Sequence, residues 1–152
     1  MARKAVYCWL AMLAAGVLAA SGPPAAGHEL TFKHLTILHP YTIEPVERLP
    51  HEVTVYMVIG NTAAEADRLI GVESKQASSA ALVARSAIDG TPQSVAALEL
   101  PANAQTVLGP KSTHLLLRDL KETIEGYQYF PLTLVFERAG MIEIEVFVED
   151  RN

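Results

Sequence analysis

An antiparallel all-β fold, a sandwich or a barrel, is what this sequence predicts. Two runs near the C-terminus alternate apolar with polar or lesser apolar residues. Residues 130–137 (FPLTLVFE) set Phe130, Leu132, Leu134 and Phe136 against Pro131, Thr133, Val135 and Glu137. Residues 141–148 (MIEIEVFV) set Ile142, Ile144, Val146 and Val148 against Glu143 and Glu145. A period of two with one apolar face is the pattern of a half-buried antiparallel strand. Residues 53–59 (VTVYMVI) make a third run, with Val53, Val55, Met57 and Ile59 on one side. Turn residues separate these short runs, as they do in sandwiches and barrels.

The first residues stand apart from this pattern. Arg3 and Lys4 precede an uncharged apolar stretch over 5–20, and residues 21–27 (SGPPAAG) supply helix breakers and small side chains that suit a signal peptidase. The apolar stretch falls short of the roughly 20 residues of a membrane span. A cleaved leader over residues 1–27 is therefore expected rather than an anchor, cut after Ala26 or after Gly27. Residues 28–152 then form a single exported domain, large enough for a real core.

Loss of Arg3 and Lys4 takes the formal charge from −5 to −7. An acidic domain with no basic cluster is a poor partner for nucleic acid or an anionic membrane surface. Cys8, the one cysteine, leaves with the leader. Disulfides, thiolate metal sites and cysteine nucleophiles are thereby excluded from the mature chain.

Within the mature chain, residues 29–38 (ELTFKHLTIL) read as an edge strand or strand pair. His39-Pro40-Tyr41 is expected to break it, because Pro40 has no N–H to give to a ladder. Pro45 and Pro50 keep the next stretch irregular. After 53–59, Gly60-Asn61-Thr62 ends the strand, 63–67 is loop or a single helical turn, and 68–72 (RLIGV) is extended again. Residues 73–87 are rich in alanine and serine, and propensity alone favours helix. The Asp89-Gly90 turn, with a return through 93–100, favours a strand instead, and a strand is predicted. Residues 109–120 (GPKSTHLLLRDL) follow a Gly-Pro turn. As a strand they place His114, Leu116 and Arg118 on one face and Leu115 and Leu117 on the other.

Residues 53–71, 98–120 and 129–148, together with His39-Pro40-Tyr41, resemble the PCu(A)C family of periplasmic copper chaperones, in the same order and over nearly the whole mature chain. The resemblance implies a cupredoxin-like antiparallel Greek-key β-sandwich in the periplasm. It implies a protein that binds Cu(I) and supplies or buffers copper for cytochrome oxidase assembly. Its partner would be a periplasmic protein such as an oxidase subunit or another copper carrier. The family's site combines one histidine with several methionines, whose thioethers and imidazole suit soft monovalent copper. His114 matches the histidine of the family's His-x-Met element, and Leu116 fills the methionine position. The upstream ligands of the pattern fall near residues 83–85 and 92, and no Met, His or Cys occurs between Met57 and His114. A degenerate Cu(I) site is expected. Met57 and Met141, within strand patterns, are expected to pack in or near the core.

His114 is thus the first candidate ligand, set against the plainer role of a hydrogen-bonded histidine at a sheet rim. His28 is the second. At a new N-terminus its amine and imidazole would chelate Cu(II), and with Gly27 retained an amide nitrogen would join them. His39 is the third, as a ligand from the N-terminal arm or as a structural hydrogen-bonding group. His34 reads as a surface strand residue and His51 as solvated. No enzyme is expected: Ser112, His114 and Asp119 lack a nucleophile elbow, and Glu143 and Glu145 share a solvated face. Two functions stand: copper handling, and a metal-free sandwich that contacts a partner protein.

Overall fold

The computed structural model describes residues 29–46, 52–86 and 88–151. The leader expected over 1–27 lies outside them, as do His28 and His51. Eleven strands and no helix occur among the described residues: β1 (Glu29–Phe32), β2 (Leu35–Ile43), β3 (Glu52–Asn61), β4 (Asp67–Glu73), β5 (Ala77–Arg85), β6 (Pro92–Ser94), β7 (Leu98–Leu100), β8 (Ala104–Leu108), β9 (His114–Leu120), β10 (Tyr129–Phe136) and β11 (Gly140–Glu149). Hydrogen bonds join them in the order β6-β5-β9-β3-β2-β11-β10-β4-β7, with β1 on β2 and β8 on β3. Every pairing is antiparallel except β2 with β11, which run parallel where Tyr41, Thr42 and Ile43 meet Phe147, Val148 and Glu149. The all-β prediction holds.

β3 belongs to both walls of this curled sheet. Its first half pairs with β9, Val55 opposite Leu115, and its second half pairs with β8, Met57 opposite Leu108. The alternation read from the sequence sets which face turns inward. Val53, Val55, Met57 and Ile59 of β3 are buried, as are Phe130, Leu132, Leu134 and Phe136 of β10 and Ile144, Val146 and Val148 of β11. They meet Leu115 and Leu117 of β9 in one continuous core.

Four expectations are corrected. Pro40 does not break its strand. β2 runs through it with a register shift between Leu38 and Tyr41, and His39 takes a φ of 46°. The irregularity is a β-bulge, where a residue without an N–H is tolerated. It exchanges the faces of the strand, so that Leu35 and Ile37 point inward before it and Pro40 and Thr42 after it. The return after Asp89-Gly90 is also two strands rather than one. β6 pairs with β5, and β7 crosses to the other wall to pair with β4. Met141 does not pack in the core; it is 57% exposed at the start of β11. His34 lies in the β1–β2 turn rather than in a strand, and its Nε2 sits 3.0 Å from a carboxylate oxygen of Asp67.

That carboxylate ties three parts of the chain together. Asp67 is 1% exposed and accepts from the backbone N–H of Arg68 (2.7 Å), Arg138 (2.9 Å) and Ala139 (3.0 Å) as well as from His34. Burial by itself pushes its pKa up, but the bonds from Arg138, Arg68, His34 and Ala139 outweigh that and hold it below the ordinary value. Asp67→Ala leaves these donors without an acceptor and should destabilise the protein by about 3 kcal/mol at neutral pH. A folded-state pKa below the unfolded one gives stability that is complete above the unfolded value, about 3.9, and is lost as pH falls through the folded one. Urea titrations of wild type and Asp67→Ala should therefore converge as pH is lowered from neutrality toward about 2. A gap that stays constant with pH would contradict the assignment.

Candidate metal centre

The turn before β9 sets the orientation of His114. Gly109 and Thr113 close it with a backbone bond of 3.0 Å, and the Ser112 hydroxyl accepts from the Gly109 N–H at 3.0 Å while donating to the Val107 carbonyl at 3.1 Å. Ser112 is left with its own carbonyl, which lies 3.2 Å from His114 Nδ1. A carbonyl oxygen only accepts, so Nδ1 carries the proton and, in the neutral ring, Nε2 keeps the electron pair. A ring nitrogen that donates to a backbone carbonyl is the usual outer-shell arrangement of a metal-ligating histidine. The same bonds exclude a serine nucleophile here, since the Ser112 hydroxyl is engaged elsewhere and His114 meets only its carbonyl.

Among the described residues, the surroundings of His114 hold no sulfur. Val83 of β5 is its cross-strand neighbour, and Leu116 on the same face stands opposite Ala81 and Thr54. Val83 and Leu116 are 2% and 6% exposed, and His114 is 6% exposed. Arg85, two residues beyond Val83, donates to the carbonyls of Pro110 and Gly90 at 3.1 Å each, which pins the β5–β6 turn to the loop before β9. Met57 faces the core, and Met141 is on β11, with β3 and β2 between it and β9. A His/Met set for Cu(I) therefore does not fit the residues around His114.

His39 occupies a different post. The bulge turns it outward, where Nε2 lies 2.9 Å from Glu149 Oε1 and the side chain is 53% exposed. A carboxylate accepts, so Nε2 donates and Nδ1 keeps its electron pair, a carboxylate–histidine arrangement that fits a metal ligand. The imidazole lies tilted against Tyr41 with ring centroids 4.9 Å apart, Tyr41 meets Tyr56 at a 54° tilt with centroids 5.4 Å apart, and Tyr56 meets His114 edge-on at 6.3 Å. Burial first, then the charge of Glu149 and then Tyr56, raise the pKa of Tyr41. β3 lies between β2 and β9, so the two histidine backbones are about 10 Å apart at the usual strand spacing. Two phenol rings lie between the two imidazoles, which stand as separate posts in this structure.

Of the three candidate ligands, the structure thus describes His114 and His39 as separate posts, and His28 lies outside the described residues. No group of three or more His, Cys, Asp or Glu suited to a metal occurs among the described residues. Glu149 and the Ser112 carbonyl were not identified from the sequence. Neither residue type signals a histidine partner, and Glu149 is 110 positions from His39. No described helix is long and apolar enough to cross a membrane.

Comparison with known proteins places this geometry. A profile of the LpqE-like lipoprotein family matches residues 35–148. The copper-bound PCuAC domain from PmoF2 is 30% identical, with a TM-score of 0.69 over 81% of this chain and 98% of that domain. The apo PCuAC domain from PmoF1 is 24% identical, with a TM-score of 0.72 over 81% of this chain and 99% of that one. The solution structure of copper(I)-bound DR1885 from Deinococcus radiodurans is 19% identical, with a TM-score of 0.61 over 84% of each chain. The latter two show the fold alone. No curated protein matches the chain. The resemblance and the sandwich expected from the sequence are both found.

Nitrogen-15 NMR of the metal-free protein should show His114 as the Nδ1–H tautomer and His39 as the Nε2–H tautomer. The opposite tautomer at either ring would remove the electron pair assigned to it.

Proposed function

The chain belongs to the LpqE-like family and to the wider family of PCuAC domains, and on that premise we propose that it is an exported copper-binding protein that takes up copper and hands it on. The observation that carries this reading is the His39 post. Its Nε2–H is held by Glu149 at 2.9 Å, which leaves Nδ1 to a metal. A mature N-terminus at His28 would add an amine and an imidazole, and three nitrogens suit Cu(II) in a tetragonal set. The nitrogen post then captures the oxidised ion, and His114 offers a single weak contact to Cu(I). Delivery in the periplasm to an oxidase subunit or to another copper carrier completes the reading, with cytochrome oxidase assembly as its destination.

A second reading draws on Val83 and Leu116, which fill the faces beside His114 with hydrocarbon. It makes the sandwich a metal-free module that contacts a periplasmic partner. The two readings separate on copper binding.

Titration of the processed mature chain against competing chelators should show Cu(II) binding that is lost in His28→Ala and His39→Ala and retained in His114→Ala. One extra residue ahead of the natural N-terminus should weaken it sharply. Cu(II) binding indifferent to both changes would favour the metal-free module.

Cu(I) affinity should be weak in the wild type. Val83→Met with Leu116→Met restores two thioethers at buried positions, the second at a packing cost under about 1.5 kcal/mol. The pair should tighten Cu(I) at least about tenfold, or about 1.4 kcal/mol. No gain would show that the His114 Nε2 is not directed at those positions.

A further inference from the structure

The bulge in β2 opens a seam in the sheet. On the side of β2 away from β3, β1 pairs with residues 35–38 and β11 with residues 41–43. Before it reaches β2, β11 runs along β10 alone. One edge of β11 over 140–146 and the outer edge of β1 therefore carry no strand among the described residues. The two edges flank a cleft of about 280 Å³, lined by Glu29 and Leu30 of β1, Pro40 at the bulge, and Glu143, Ile144 and Glu145 of β11.

The lining is sorted by face. Leu30 is the register partner of fully buried Ile37 and so has the inward phase, yet it is 39% exposed. Pro40 and Ile144 share that phase and are buried. Glu29, Glu143 and Glu145 take the opposite phase and are exposed. No ion pair among the described residues engages these three carboxylates. The seam thus offers unpaired backbone at both margins, hydrocarbon on its inner side and negative charge on its outer side.

We propose that this seam is a β-augmentation site for an extended segment of a partner protein in which apolar and basic residues alternate. A strand laid in the cleft pairs its backbone with an open edge, and its side chains point alternately in and out. The inward ones meet Leu30, Pro40 and Ile144, so they are apolar. The outward ones stand between Glu29 on one margin and Glu143 and Glu145 on the other, so they are lysine or arginine. A second copy of β1 fits badly, because it brings its own Glu29 to three carboxylates, and like charges oppose cross-strand pairing. Charged side chains commonly guard open edges against self-association. Here the guard has one sign, which repels an acidic strand and admits a basic one. The proposal involves no copper and stands or falls apart from the copper reading.

The test adds an end-capped peptide of alternating lysine and valine to the nitrogen-15-labelled, metal-free mature protein. Amide resonances of residues 29–32 and 141–146 should shift as the peptide binds. Glu143→Lys with Glu145→Lys, both at exposed positions, should weaken binding at least about tenfold. A valine–glutamate peptide should not bind, and neither should the lysine–valine peptide with every backbone amide N-methylated, which keeps its charges and loses its N–H groups. No shift at the seam overturns the proposal, as does equal binding by the charge-reversed variant or the valine–glutamate peptide. Equal binding by the N-methylated peptide reduces the contact to charge alone and overturns strand addition. Concentration-dependent shifts of the same amides without peptide, with a dimer in sedimentation, make the occupant a second copy and overturn the basic partner.

Discussion

Burial of Val53, Val55, Met57 and Ile59 leaves β3 no freedom of phase, because a slip of one residue would turn all four to solvent. At about 1.5–3 kcal/mol for each large apolar side chain, that slip costs on the order of 6 kcal/mol or more, comparable with the whole stability of a small domain. The same constraint turns Thr54 and Tyr56 outward. Because β3 sits between β2 and β9 and belongs to both walls, its phase also sets what stands between His39 and His114. The core, in this sense, decides the spacing of the candidate ligands.

The second constraint is the bulge at His39. An unbulged β2 would continue the inward phase of Leu35 and Ile37 to His39 and Tyr41, and both would enter the core. One extra residue reverses this, so Pro40 and Thr42 go in and Tyr41 stays out beside Tyr56. A histidine at φ 46° is uncommon, though His tolerates that region better than branched residues. It is held there by Glu149 from a parallel neighbour and by the Tyr41 ring. Proline, which removes a ladder donor, is suited to the one place in the strand where the ladder is already interrupted.

Around His114 the described face is packed with hydrocarbon. Leu116 has nearly the volume of methionine, and Val83 closes the other side, so packing survives without thioethers. Arg85 takes up two carbonyls of the adjoining loops, which stiffens the turn that presents the Ser112 carbonyl to the imidazole. The nitrogen-bearing end at His39 differs in every respect: exposed, carboxylate-backed and close to the N-terminal strand.

The sequence by itself determined the fold class and the inward faces of β3, β10 and β11, because period-two burial is a local pattern that needs no knowledge of neighbours. It also determined the absence of cysteine and of methionine between Met57 and His114, which is a matter of composition. Tertiary structure decided the rest. Whether His39-Pro40 ends a strand or bulges it depends on β3 and β11 pairing on either side. Whether His34 is a surface residue or a partner of Asp67 depends on the β1–β2 turn meeting the start of β4, 33 residues on. The Tyr41–Tyr56 contact and the Glu149 bond to His39 arise from strand order, which alternation along one strand does not encode. Periodicity specifies which face a residue takes; only the pairing of strands specifies what lies beside it.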